Sequence, residues 1–137
     1  MILPDFTTLE EEADAAAALT LRGRRVLLSR DVARQFGVPT GQLNQNLARN
    51  AEKFTEDYAF KLDEAEFQQV IAVMAARGEV QALGDLTKLP WVLTEKGVLM
   101  SATILRTPQA IAATRRMIEV FLAAQALEAE LEGMLSG

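Results

Sequence analysis

Residues 29–54, SRDVARQFGVPTGQLNQNLARNAEKF, constrain the fold most tightly: a helical pattern is broken once by Gly37-Val38-Pro39 and then resumes. Glycine takes the positive φ that ends a helix and proline cannot continue one, so the segment predicts two short helices joined by a sharp turn. Ser29 and Thr40 read as the two N-caps, with Asp31 in the first turn of the first helix. Val32, Ala33 and Phe36 form that helix's inward face, and Ala33 is small enough for a second helix to cross closely. At about 100° per residue, Leu43 and Leu47 share the inward face of the second helix, against Phe36 and Val38. Gln42, Gln45 and Arg49 then point away, and Asn44 lies on the flank. Asn46 and Asn50 fall toward the buried side, Asn50 as a helix end. Gly41 sits near the helix start, where backbone can approach a phosphate. An exposed face of Gln, Asn and Arg can pair with base edges in a DNA major groove. An ordinary pair of packed helices with a polar outer face shows the same pattern.

Composition removes several alternatives. The 137 residues suit one domain. With no cysteine and no histidine there are no disulfides, no cysteine zinc site and no imidazole base, so neither a metal nor another cofactor is expected. Catalysis is not expected either, since the carboxylates of Asp63, Glu64 and Glu66 are explained by a helix start. The apolar runs are too short to span a bilayer, and the N-terminal MILPDFTTLEEE has no basic leader, so a cytoplasmic protein is expected.

The net charge of −5 taken alone disfavours a polyanionic partner, but the charges are segregated. Asp5, Glu10, Glu11, Glu12 and Asp14 precede residue 20, and Glu128, Glu130 and Glu132 follow residue 125. All 14 basic residues lie between, against 11 acidic ones, so segment 20–125 is net positive. Arg22, Arg24 and Arg25 precede the paired helices, and Arg30, Arg34, Arg49 and Lys53 lie within them. It is the local field that attracts phosphate.

Residues 7–19 predict a helix, with Thr8 and Glu11 as a capping box. Arg22-Gly23-Arg24 predicts a hairpin-type turn into a strand over 26–28, and 58–62 alternates as a strand. Asp63 to Glu66 forms another capping box, opening a helix to about Ala76 with Phe67, Val70, Ile71 and Met74 inward. Residues 77–89 read as a loop or hairpin arm, and 90–93 as a strand pairing with 58–62. Two such strands beside the paired helices describe a winged arrangement. Thr94 caps a short helix ending near Leu105, and Thr107-Pro108 opens a long one, about 108–135. Its apolar positions keep 3-4 spacing through Val120, Ala124, Leu127, Leu131 and Met134, while Ile111, Ile118 and Phe121 widen the stripe where it should pack on the domain's own core. The narrower stripe after residue 122 suits a partner helix, hence a homodimer, or docking on the acidic N-terminal helix.

Together these residues resemble a known family. The run Arg24-Arg25-Val26, Ser29 to Ala33, Phe36-Gly37-Val38, Leu43-Asn44, Arg49-Asn50, Phe54, Asp57 and Phe60 looks like the "open reading frame six, N-terminal" domain of phage and prophage proteins. That domain is related to the KilA-N and Bro-N DNA-binding domains. A second block is similar too: Leu89-Pro90, Thr94-Glu95, Gly97-Val98, Met100, Leu105-Arg106, Ala110, Met117 and Phe121. The resemblance spans roughly 20–123 and implies a DNA-binding domain, usually regulatory, with its DNA-facing positions in the Leu43–Asn50 block. Thr55 stands where the family usually has proline, and Leu83-Gly84-Asp85-Leu86 replaces a Gly-Gly and arginine-containing loop.

The expectation is therefore an α+β, mostly helical protein: a helix-turn-helix with a small β-hairpin and a long C-terminal helix. An acidic arm (1–19) precedes the DNA-binding domain (20–123), and a helical extension (124–137) follows it. Gln42, Gln45, Arg49 and Asn44 are candidates for base readout. Arg24, Arg25, Arg30, Arg34, Thr40, Gly41 and Lys53 are candidates for phosphate contact. The expected partners are double-stranded DNA and a second copy. The competing reading is a protein-interaction module whose acidic ends and long helix bind a toxin, polymerase subunit or host factor.

Overall fold

The structure is a computed structural model that describes residues 19–136. The chain runs β1 (Leu19–Leu21), β2 (Arg24–Leu28), α1 (Ser29–Phe36), α2 (Thr40–Arg49), β3 (Ala59–Lys61), α3 (Glu64–Ala76), a 3-10 turn (Val80–Leu83), β4 (Trp91–Thr94), α4 (Glu95–Ile104) and α5 (Pro108–Ser136). It is an α+β protein, mostly helical, with one small sheet and a long last helix. The helix expected over 7–19 lies outside the described residues except at Leu19, which opens β1 instead. Among the described residues no helix is long and apolar enough to cross a membrane.

The strands pair antiparallel in the order β1-β2-β4-β3. Side chains alternate across a strand, so the sheet has two faces. Val26, Leu28, Phe60 and Val92 turn to one side, against Phe67, Val70 and Met74 of α3. Leu27, Ala59 and Leu93 turn to the other, against α1, α2, α4 and α5. Register keeps the faces distinct: Val92 lies opposite Leu28 and Phe60, and Leu93 opposite Leu27 and Ala59. The result is three layers, with α3 and the 3-10 turn on one side of the sheet.

The winged expectation needs correction in its connectivity. Segments 58–62 and 90–93 do pair, as β3 and β4, but α3 intervenes, so they are not a hairpin. The arm 77–89 contains a 3-10 turn and no strand. The tight hairpin is β1–β2, whose turn residues Arg22 (φ 53) and Gly23 (φ 70) are both left-handed, the geometry that matches strand twist in a two-residue loop. Sequence reading found its turn and second arm and missed β1.

Helix starts divide into two kinds. Asp63 and Glu66 make the reciprocal capping box, with Asp63 Oδ1 accepting from the Glu66 N–H at 2.7 Å and Glu66 Oε1 from the Asp63 N–H at 3.0 Å. Thr94 caps α4 through the Gly97 N–H. Ser29 and Thr40 are not caps: Leu28 and Pro39 hold those positions, and Ser29 and Thr40 are the first helical residues. The reason is tertiary for α1, since Leu28 is held extended by pairing with Val92 and the strand passes straight into the helix. For α2 it is proline's fixed φ, here −63° in an extended conformation.

The stripe of α5 also differs from expectation. Ala110 and Ala113 are buried, and the Thr114 hydroxyl hydrogen-bonds to the carbonyl oxygens of Ala102 and Ala110 at 2.9 and 3.0 Å. Small residues let α4 approach α5 closely, and the bulky ones point away. Ile111, Ile118 and Phe121, expected on the core, are 43%, 55% and 61% exposed.

Candidate nucleic-acid interface

Helix α1 is anchored by Val32, Ala33 and Phe36, each fully buried, and closes at Gly37, whose φ is 70°. The Gly37 and Val38 N–H groups bond to the Arg34 and Ala33 carbonyls at 3.2 and 3.0 Å, satisfying two end carbonyls. Helix α2 then crosses over α1 through Leu43 and Leu47, also fully buried. The start of α5 braces this turn. The Thr107 hydroxyl donates to the Phe36 carbonyl, and a Cβ on Gly37 would come within 2.7 Å of Gln109.

With that face fixed, Gly41, Gln42, Gln45, Ala48 and Arg49 are exposed. The angular placement of Gln42, Gln45 and Arg49 on the outer side agrees with this surface. Asn44 is half-buried, with its Oδ1 out of solvent and without a hydrogen-bond partner among the described residues. Asn50 ends α2 and donates from Nδ2 to the Asn46 carbonyl at 2.8 Å, so it is structural. Thr40 is half-buried at the helix start, where the first N–H groups lack intrahelical acceptors. Beyond its chain neighbours and its own helix backbone, no described atom would lie within 4 Å of a side chain at Gly41, so backbone is accessible there.

The basic residues differ in what they are free to do. Arg22 is committed: its guanidinium bonds Glu66 at 2.8 and 2.9 Å and Glu56 at 2.7 Å, and lies 3.9 Å from the centre of the Phe60 ring. Those hydrogen bonds raise the Arg22 pKa further and hold the Glu66 carboxyl at about 2. Arg30 is exposed but donates to the Ala82 carbonyl at 2.6 Å, tying the divergent 77–89 arm to α1. Arg34 is exposed and 3.8 Å from Asp31, whose carboxyl is pushed up by burial despite that neighbour. Arg24 and Arg25 are exposed at the start of β2. Arg49 and Lys53 are exposed, with no ion pair among the described residues.

The segment leaving α2 is fixed by contacts that sequence reading did not assign. The Thr94 hydroxyl donates to the Asp57 carbonyl at 2.7 Å, and its N–H donates to the Tyr58 carbonyl at 2.9 Å. Gly97 packs so closely that a Cβ there would stand 1.9 Å from the Tyr58 oxygen. The hydroxyl of Thr55, at the family's proline position, bonds Asp57 Oδ1 at 2.5 Å and so lowers that carboxyl's pKa, helped by Lys96 and Arg24. Arg24 and the β1–β2 turn therefore sit beside the exit of α2.

These features define a small α+β domain that presents one short polar helix, braced from behind, beside a hairpin carrying arginines. The family model of the ORF6N domain matches residues 16–104, and the chain belongs to this phage-related family. The match ends with α4, so α5 lies beyond it. No curated protein and no solved structure matches the chain.

Proposed function

We propose that this is a phage-type DNA-binding protein, a non-catalytic regulator that reads duplex DNA with α2 as the second helix of a helix-turn-helix. The observation that carries the reading is the outward face of α2: Gln42, Gln45 and Arg49 are exposed together on a helix whose opposite side is locked into the core. In this reading they reach base edges in the major groove, with Asn44 at the margin. Thr40 and the Gly41 backbone meet a phosphate at the helix start. Arg24 and Arg25 on the hairpin, which takes the place of a wing, contact backbone with Lys53 and Arg34, while Arg30 divides its donors between phosphate and the Ala82 carbonyl. Two copies joined through α5 present two such helices to a two-fold site.

Substitution on a selected binding site tests this. Arg49→Ala should cost about 1–3 kcal/mol there and relax preference at one base pair. Lys53→Ala should weaken all duplexes alike and reduce the salt slope by about one. Equal loss from both on every sequence would contradict base readout by Arg49. Co-purification of a stoichiometric protein partner, with no DNA shift, would favour the interaction-module reading.

A further inference from the structure

Eight of the ten large hydrophobic side chains exposed among the described residues lie on α5. One group continues the face that Ala110 and Ala113 bury in the domain: Leu127 is 46% exposed, Leu131 49% and Met134 77%. Helical spacing places Met117, Val120 and Ala124 on the same line, so a stripe that begins in the core runs out of the fold with no described residue over it.

We infer that this stripe is covered by the α5 of a second copy running antiparallel. This rests on the reading that two copies pair through α5 and adds the orientation and register. Orientation follows from where the domain sits. Near Ala110 and Ala113 the stripe's face is occupied by α1 and α4. A parallel partner laid on that face would bring both domains into the same space at the start of the seam. An antiparallel partner ends against the domain and keeps the two bodies at opposite ends.

Register follows from the spacing. With Ala124 opposite the partner's Leu127, Val120 meets the partner's Leu131 and Met117 meets the partner's Met134. All six stripe residues are used, and the middle layers set small against large. A shift of one heptad in either direction leaves apolar residues unpaired or demands the face that α4 already covers. Charge agrees: a parallel pair would lay Glu128, Glu130 and Glu132 beside their own copies. In the antiparallel register they stand level with the partner's Ala123, Phe121 and Glu119, so of the three only Glu132 still meets a like charge. The overlap is about 26 Å of helix, small for an interface, so the dimer should exchange with monomer at micromolar concentrations.

The chain has no cysteine, so single cysteines can be introduced at exposed or half-exposed stripe positions of the full-length protein and trapped with a short bis-maleimide. Val120→Cys mixed with Leu131→Cys should cross-link, whereas each alone should not, since like positions lie about 16 Å apart along the antiparallel pair. Self-linking of Leu131→Cys alone would overturn the antiparallel orientation while leaving pairing intact. No cross-link in any combination, with a monomer in sedimentation at high concentration, would overturn pairing itself. Duplex binding by α2 is read separately by gel shift.

Discussion

At the scale of single residues, two long-range contacts fix the chain that leaves α2 without touching the helix's outer face. Gly97 cannot accept a side chain because the Tyr58 carbonyl occupies the space. Gly97→Ala should lower stability by about 3 kcal/mol, as overpacking against backbone does, and thermal unfolding will show it. Nothing local to Gly97 announces this, since the clash comes from a residue nearly forty positions earlier; only the family resemblance marked it. The Arg22–Glu66 pair is equally long-range. Its consequence is a pH dependence: Glu66 is held at about 2 against a usual 4.5, so the folded state binds its proton less readily than the unfolded state. The resulting stability is present above pH 4.5 and is lost as pH falls toward 2. Glu66→Gln keeps a cap acceptor and removes the charge. Its destabilisation relative to wild type should be measurable by urea unfolding at pH 6 and should shrink through that window; a constant difference would contradict the ion pair's role.

At the scale of elements, the sequence was legible where local chemistry decides and misleading where the fold decides. The inward faces of α1, α2 and α3 follow from 3.6-residue periodicity alone, and the turn at Gly37 from glycine's freedom at φ 70°. The caps separate the two regimes. Asp63 caps α3 through bonds made within four residues, whereas Ser29 and Thr40 are displaced into their helices by a strand and a proline. Asp63→Ala should therefore cost about 1 kcal/mol. Thr40→Ala should change the midpoint of unfolding little, within about 0.5 kcal/mol, yet weaken DNA binding if Thr40 makes the phosphate contact proposed for it. Denaturant titration and gel shift on the same samples distinguish these outcomes. Strand β1 escaped sequence reading because three residues after an alanine run carry too short a pattern, and its pairing with β2 supplies what propensity lacks.

At the scale of the whole molecule, a three-layer domain carries α2 on one side and sends α5 out as a half-covered arm. Sequence reading saw the length and spacing of that helix but misplaced Ile111, Ile118 and Phe121. A broad apolar stripe does not say which part a neighbour will cover, and here the small residues Ala110 and Ala113 decide it. Leu127→Glu with Leu131→Glu should leave the melting curve of the domain unchanged while reducing affinity for a two-fold site more than for a single half-site, by sedimentation and fluorescence anisotropy. The central claim, that α2 reads duplex DNA, is tested most directly by selection from a random duplex pool at low salt, repeated with the Gln42→Ala, Gln45→Ala, Arg49→Ala triple variant. The account predicts an enriched motif for the native chain, retained binding that falls steeply with salt, and loss of the motif in the variant. No retention of duplex at low salt, or the same motif from both proteins, would contradict it.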